Sequence, residues 1–449
     1  MSHHAATHPG IHWRADVATH TLSRVTSLER SFIFALCVIL AGYALLGRGF
    51  AYLGVAPLFV GELTLALGAL AWFSRERPLA PLKSLSGAML ALFMAIGLMR
   101  LAFDLPTYGP AAIRDAVLWG YGVYALAVAA IVAREPEVLR TLINRFRPLA
   151  AAIIGLGGFL FAISFTFSAS LPSLPGSTAP IPGLKGGDTM VHLAGAVAFV
   201  LVGFRSKIWW MLPMVVVDFG LIAMKNRGGM VAFLLAMAVV LLLRSSRVRV
   251  GKWSYLGLVG ILLLVLINPK IELYGNRSIS LEQLGDNFRS LTGSSGENAL
   301  DGSKEWRLSW WTDIVEYTFT GPYFLAGKGF GINLASDDGY QVDDEESLRS
   351  PHNGHMSVLA RMGVPAFAIW VVLQLSWAFS ILRNLLVARR RGEDGWHGLF
   401  LFLLAYWCAF MVNITFDVFI EGPMGGIWFW TLFGLGLGAV NVYNQKWAL

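Results

Sequence analysis

Twelve apolar stretches interrupt the 449 residues, at roughly 31–47, 58–73, 85–103, 113–133, 149–169, 189–204, 208–224, 229–243, 253–267, 364–382, 397–415 and 424–442. Each approaches the ~20 residues that a helix needs to cross the hydrocarbon of a bilayer. Lipid satisfies no open backbone group, so a spanning chain is either helical or a closed barrel. No strand-length run of alternating polarity is present, which leaves helices. Only 14% of the residues are charged, against about 25% in soluble domains. The expected fold class is an all-α polytopic membrane protein with about twelve transmembrane helices.

The net charge of +7 follows membrane topology and is not a nucleic-acid signal. With the N-terminus in the cytoplasm, the inner segments hold twenty-one Lys and Arg, and the short outer segments hold four. That bias places both chain ends in the cytoplasm. Four regions follow: a polar cytoplasmic tail at 1–30, transmembrane helices one to nine over 31–267, an outer domain over 268–351, and helices ten to twelve with the cytoplasmic C-terminus over 352–449. The tail reads as disordered by composition, with no cleavable signal peptide before the first span. In the outer domain, seven Lys and Arg face fourteen Asp and Glu. Between Ser303 and Thr320, helical spacing puts Trp306, Trp310, Ile314 and Tyr317 on one face, with Arg307 beside it. Cys37 and Cys408 lie inside apolar runs and offer neither a disulfide framework nor metal-ligand spacing.

This topology leaves few titratable groups near the outer face. The stretch Ser350-Pro351-His352-Asn353-Gly354-His355 closes the outer domain just before helix ten. An imidazole can act as general base near neutral pH. His355, three residues after His352, would share its face of a helix. The bland reading of both is a helix cap or a loop contact. Lys225-Asn226-Arg227-Gly228-Gly229 puts cations in an outer turn between helices seven and eight, against the positive-inside bias. Its glycines would let a ligand approach the backbone, and Arg227 can fork onto a phosphate. The bland reading is snorkelling to the interface. Arg307, Arg48, Arg100, Arg114 and Arg361 lie near outer helix ends and, with this turn, could make a cationic pocket for a diphosphate. Asp417 and Glu421 could orient a histidine or line an acceptor groove. His192, inside helix six, reads as a packed residue. The acidic run from Asp337 to Glu346 lacks the spacing of a calcium loop and reads as a solvated loop. Gly434, Gly436 and Gly438 read as helix-packing residues. No metal site and no cofactor is expected.

Several of these elements, in this order, resemble the bacterial O-antigen ligase and O-antigen polymerase superfamily. His352 and Asn353, followed after nine residues by Gly363, match its histidine signature, with Ala366 where the pattern has a final glycine. Arg227-Gly228 matches its short Ser-Arg-Gly element, with Asn226 in place of the serine. Arg307, Trp310, Trp311, Gly321-Pro322 and the Gly327-to-Gly331 segment match a further stretch. The resemblance covers helices seven to twelve, and the first half only by helix count. It implies a type C glycosyltransferase-like helical fold in the bacterial inner membrane, with the outer domain in the periplasm between helices nine and ten. It implies transfer of O-antigen polysaccharide from undecaprenyl diphosphate to the lipid A–core oligosaccharide, metal-independent and inverting. In that picture His352 is the base, while Arg227 and Arg307, with Lys225, hold the diphosphate. Asn353 orients the loop or a sugar, and His355, Arg48, Arg100 and Arg361 line the substrate site. The implied partners are the lipid-linked donor, the lipid A–core acceptor and membrane lipids, with no nucleic acid.

Three other readings compete: a polymerase joining repeat units, an O-linked oligosaccharyltransferase with a protein acceptor, and a transporter of lipid-linked sugar. The short 170–188 loop, with Lys185 as its one cation, favours the ligase over a polymerase with two arginine-rich outer loops. Transporters place their charged site near the bilayer midplane, whereas here the unusual charges sit at outer helix ends.

Overall fold

The computed structural model describes residues 25–55, 58–74, 80–174, 179–204, 211–244, 270–273, 277–280 and 298–449. The tail expected at 1–30, apart from 25–30, lies outside these residues. So do the ninth apolar stretch at 253–267 and much of the first third of the 268–351 region.

The other eleven apolar stretches are helical. Among the described residues, eight helices are long and apolar enough to cross a membrane: α1 (Ser27–Leu46), α3 (Leu85–Tyr108), the pair α4 and α5 (Pro110–Gly120 and Gly122–Arg134), α6 (Glu137–Thr166), α7 (Gly186–Phe199, continued by one wider turn to Phe204), α12 (Gly354–Arg391), α13 (Asp394–Phe416) and α14 (Pro423–Asn444). Three are shorter: α2 (Val60–Phe73), α8 (Met211–Ala223) and α9 (Arg227–Leu243). Two further helices, α10 (Asn298–Phe319) and α11 (Leu334–Asp338), belong to the polar region before α12. Among the described residues the only strands are two short antiparallel pairs, 54–55 with 58–59 and 270–273 with 277–280.

Helix starts are set by side-chain caps. Thr26 and Glu29 form a reciprocal capping box at α1, which satisfies two amide donors that have no helical partner. Ser84, Asn226 and Asn353 cap α3, α9 and α12, each side-chain oxygen accepting from an amide of the first turn. α14 packs along α5, and its glycines fit that contact. A Cβ on Gly434 would stand 2.3 Å from the Ala125 carbonyl oxygen, and one on Gly438 would stand 2.8 Å from Val132. Gly436 makes the same close approach to Trp377 of α12. Small residues at these points let helix backbones approach closely.

α12 is two helices in one. At Gly363 the backbone turns to φ 77°, ψ 178°, and Pro365 follows. Residues 324–329 fill the notch: Val364 N–H donates to the Phe324 carbonyl at 2.8 Å, and a Cβ on Gly363 would meet that oxygen at 2.6 Å. Only glycine accepts both the positive φ and the contact.

The polar region forms a second, smaller core above one end of the bundle. Trp310 and Ile314 of α10 are fully buried against Leu334 and Ala335 of α11 and Leu359 and Ala360 of α12, with Trp306 and Tyr317 packed at the edge. This is the α10 face expected from the residue spacing. Asp338 accepts from Trp310 Nε1 at 2.6 Å. It also holds Lys328 together with Asp337, while the Lys328 ammonium lies over the rings of Tyr317 and Tyr323. Burial alone would lower Lys328, but the two aspartates outweigh it and raise it above the ordinary lysine range. The first part of the acidic run is therefore structural rather than a solvated loop.

Residues 327–331 tie this layer to the bundle. Gly327, Gly329 and Gly331 all have positive φ, which serves a close-fitting strap rather than a nucleotide loop. The amides of Phe330 and Gly331 donate to Asp104 of α3 and Asp115 of α4 at 2.7 and 2.9 Å.

Candidate functional site

The loops at this end of the bundle converge on Asp417, which follows the last residue of α13. His352 Nδ1 lies 3.9 Å from Asp417 Oδ1, and Lys185 Nζ lies 3.8 Å from the same oxygen. Arg307 of α10 donates to the carbonyl of the neighbouring Phe416 at 3.3 Å. The α9 start packs here as well, since a Cβ on Gly228 would touch Phe416 at 2.7 Å. Arg227, the first residue of α9, is close enough that its charge acts on Arg307. Burial lowers Arg307 below the ordinary guanidinium range, Asp417 opposes this, and Arg227 adds to it.

His352 sits in an uncommon backbone state. Its φ is 51°, a left-handed conformation for a residue with a Cβ. Such a state costs on the order of 1–3 kcal/mol and persists only where the surroundings enforce it. Four contacts do so. Asn353 caps α12, its side-chain oxygen accepting from the amides of His355 and Met356 at 3.0 and 3.2 Å. Trp311, one turn after Arg307 on α10, donates to the Pro351 carbonyl at 2.8 Å. Ser357 Oγ donates to the Asn353 carbonyl at 3.2 Å, and part-buried Glu421 stands near Ser350 and Ser357, with burial raising its carboxyl. The imidazole is left 35% exposed, facing Asp417.

Asp417 stays a carboxylate. Its burial would raise it, but the contact from His352, the charge of Lys185 and the Val418 amide at 2.8 Å hold it down at about 2. Lys185 precedes α7, and Asp188 lies in the first turn of that helix. The charges of Lys185, Arg48 and Asp417 all act on Asp188. Arg48 is held here by its own amide, which donates to the Gly183 carbonyl at 2.9 Å. Among the described residues tied to Asp417, Asp188 and Arg307 in this way, four are permanent cations (Arg48, Lys185, Arg227 and Arg307) and two are carboxylates. A site with surplus fixed cations in a part-buried setting suits a multiply charged anion, because low local dielectric strengthens each pairing.

The structure thus brings His352, Arg227, Arg307 and Arg48 together. Lys225 lies at the edge, its ammonium 5.1 Å from the centre of the Phe165 ring. Asn353 spends its side-chain oxygen on the helix cap, so it holds the loop. His355 turns inward: Trp370 Nε1 donates to its Nδ1 at 3.1 Å, which leaves Nε2–H to donate to the Met411 carbonyl at 3.3 Å. Arg100 and Arg361 lie in the strap network instead. Arg361, 1% exposed, bonds Asp115 at 2.9 Å and the carbonyls of Gly329 and Ile332 at 3.2 Å. Arg100 bonds Asp104 at 2.9 Å and the Lys328 carbonyl at 3.2 Å. His192 is packed as expected, 2.7 Å from the Tyr406 hydroxyl.

Lys185 and Asp188 did not stand out in the sequence as site residues. They follow a Pro- and Gly-rich loop with no motif, and their place beside Asp417 is purely tertiary. The nearest signal was that Lys185 is a lone cation on the outer side.

Against known families, residues 211–371 match the model described as O-antigen ligase. The match contains Arg227, Arg307, His352, Asn353 and Gly363, and excludes Lys185 and Asp417. No curated protein matches the chain significantly.

Proposed function

We propose that this multi-pass membrane protein, whose residues 211–371 match the O-antigen ligase model, transfers O-antigen polysaccharide from undecaprenyl diphosphate to the lipid A–core oligosaccharide at the periplasmic face of the inner membrane. The observation that carries this reading is the strained, partly exposed His352 facing Asp417 within a cationic cluster that includes Arg227 and Arg307.

In the proposed reaction a core-sugar hydroxyl attacks the anomeric carbon of the donor. The new C–O bond forms as the bond to the diphosphate oxygen breaks, and that bonding pair leaves on the diphosphate. One displacement inverts the anomeric centre. The hydroxyl proton passes to the His352 imidazole, a general-base contribution of about 10²–10⁴ in rate. Asp417 orients the ring through Nδ1, so Nε2 faces the acceptor. The diphosphate needs no proton but gains charge as it leaves, and Arg227 and Arg307, supported by Lys225 and Arg48, stabilise that charge. The reaction is proposed to need no metal.

The test is transfer by purified protein, with undecaprenyl-diphosphate-linked glycan, lipid A–core acceptor and excess EDTA. Wild type is expected to form product, and His352→Ala to lose it. His352→Asn belongs beside it, because asparagine tolerates the left-handed backbone but supplies no base. Full activity in either variant would sink the base. Product only when EDTA is omitted would sink metal independence. Product without lipid A–core would favour a polymerase, and glycan on a protein acceptor would favour the oligosaccharyltransferase.

A further inference from the structure

We infer that Lys185 is a donor-sensing positioning residue that competes with His352 for one oxygen of Asp417 and releases it when the diphosphate binds. This rests on the ligase reading above. The observation is a shared acceptor: Lys185 Nζ and His352 Nδ1 approach Asp417 Oδ1 to 3.8 and 3.9 Å. Both separations exceed the 2.7–3.2 Å of a formed N–H···O bond, while the Val418 amide already occupies that oxygen at 2.8 Å. The oxygen that holds a backbone donor is thus shared by an ammonium and an imidazole, and neither reaches hydrogen-bond distance.

The three groups differ in freedom. His352 is fixed by its cap, by Trp311 and by the Ser357 hydroxyl on the Asn353 carbonyl. Asp417 is part-buried beside the end of α13. Lys185 is a flexible four-carbon chain with 34% of its side chain exposed. It is also the cation flanked by both carboxylates of the cluster, Asp188 and Asp417. A diphosphate entering among Arg48, Arg227 and Arg307 offers Lys185 a stronger partner than the oxygen it shares. Its movement toward the donor leaves Asp417 Oδ1 to His352. The base is then oriented only when a leaving group is in place, and binding is ordered, donor before acceptor. No bond is made or broken in this step; one ammonium changes partners.

The experiment pairs direct binding with kinetics, in nanodiscs, for wild type, Lys185→Met, Lys185→Arg and Asp417→Asn. Binding uses undecaprenyl diphosphate alone. Lys185→Met is expected to weaken binding about tenfold, the size of one exposed charge contact, and Asp417→Asn to tighten it by freeing the lysine. Lys185→Arg should restore most of the affinity. In transfer, Lys185→Met should raise the donor KM while kcat at saturating donor stays within about twofold, because its role ends once the donor is bound. Asp417→Asn should lower kcat and donor KM together. The idea is overturned if Lys185→Met loses kcat with donor binding unchanged, which marks a purely structural lysine, or if Asp417→Asn weakens binding. The two readings separate cleanly. Absence of transfer by wild type with this binding pattern intact would remove the ligase and leave the lysine exchange. Normal transfer with the pattern lost would do the reverse.

Discussion

Two polar networks share one end of this bundle, and both use arginine, aspartate and a glycine-rich turn. In the strap network, Arg361, Arg349, Asp115, Arg100 and Asp104 close on one another and on the backbone of 327–332 at 2.7–3.3 Å. In the Asp417 cluster, Lys185 and His352 stand off at 3.8 and 3.9 Å, and the fixed cations outnumber the carboxylates. The first network is closed at hydrogen-bond distance apart from Arg349 Nε, and the second stands open. Closure marks a scaffold, because a buried charge whose donors are spent has little left to offer a substrate. Surplus charge beside a strained side chain marks a place where a ligand completes the set.

That contrast predicts opposite readouts for similar substitutions. Arg361→Met leaves buried Asp115 with Arg349 at 3.3 Å and the Gly331 amide at 2.9 Å. It should cost about 3–5 kcal/mol of stability, as breaking a buried pair does, and thermal unfolding of the purified protein should fall sharply. An unchanged melting temperature would show that the strap is not a scaffold. Arg227→Gln and Arg307→Gln should leave melting intact and lower transfer about 10²–10³-fold each, the scale for losing one transition-state charge contact. A variant that melts early with normal kcat would erase the distinction. Gly329→Ala places a Cβ at φ 96°, 2.2 Å from Arg100 Nη2. It should destabilise by about 1–3 kcal/mol through backbone strain, whereas nucleotide addition should have no effect on wild type. Asn353→Ala is the finest probe because it touches both. Losing the cap should cost about 1 kcal/mol, and it frees His352 from its left-handed state, so transfer should fall further than stability does. Equal losses would reduce Asn353 to a cap alone.

The helices were legible because apolar length is a local property. Each described stretch of about fifteen or more apolar residues is a helix, and the Trp310–Ile314 face of α10 followed from spacing. The site was legible only in pieces. Arg227, Arg307 and His352 could be singled out because each sits in a short recognisable pattern. Arg100 and Arg361 looked equivalent to them, since position near an outer helix end is the same for all five. What separates them is their partners, and those lie far away in sequence: Lys328 is 228 residues from Arg100. Asp104 and Asp115 sit in apolar helices and drew no attention, yet they decide where the arginines go. Lys185 was passed over for the converse reason, as its motif-free loop gave no hint that it would end beside Asp417.

The break at Gly363 also bears on how the molecule is made. Residues 324–329, which fill the notch, are synthesised before α12, so the seat for the break exists before the helix that needs it. The apolar span then begins at Val364 and ends on Arg389, Arg390 and Arg391, a stop signal written in the chain itself. The two turns carrying His355 and Arg361 precede that span and join chain made before and after them: Arg361 bonds the Gly329 and Ile332 carbonyls, and His355 bonds the Met411 carbonyl of α13. The proposed base therefore gains its partner only after α13 has been made, since Asp417 follows that helix, and a chain threaded out of register at Gly363 would leave His352 away from it.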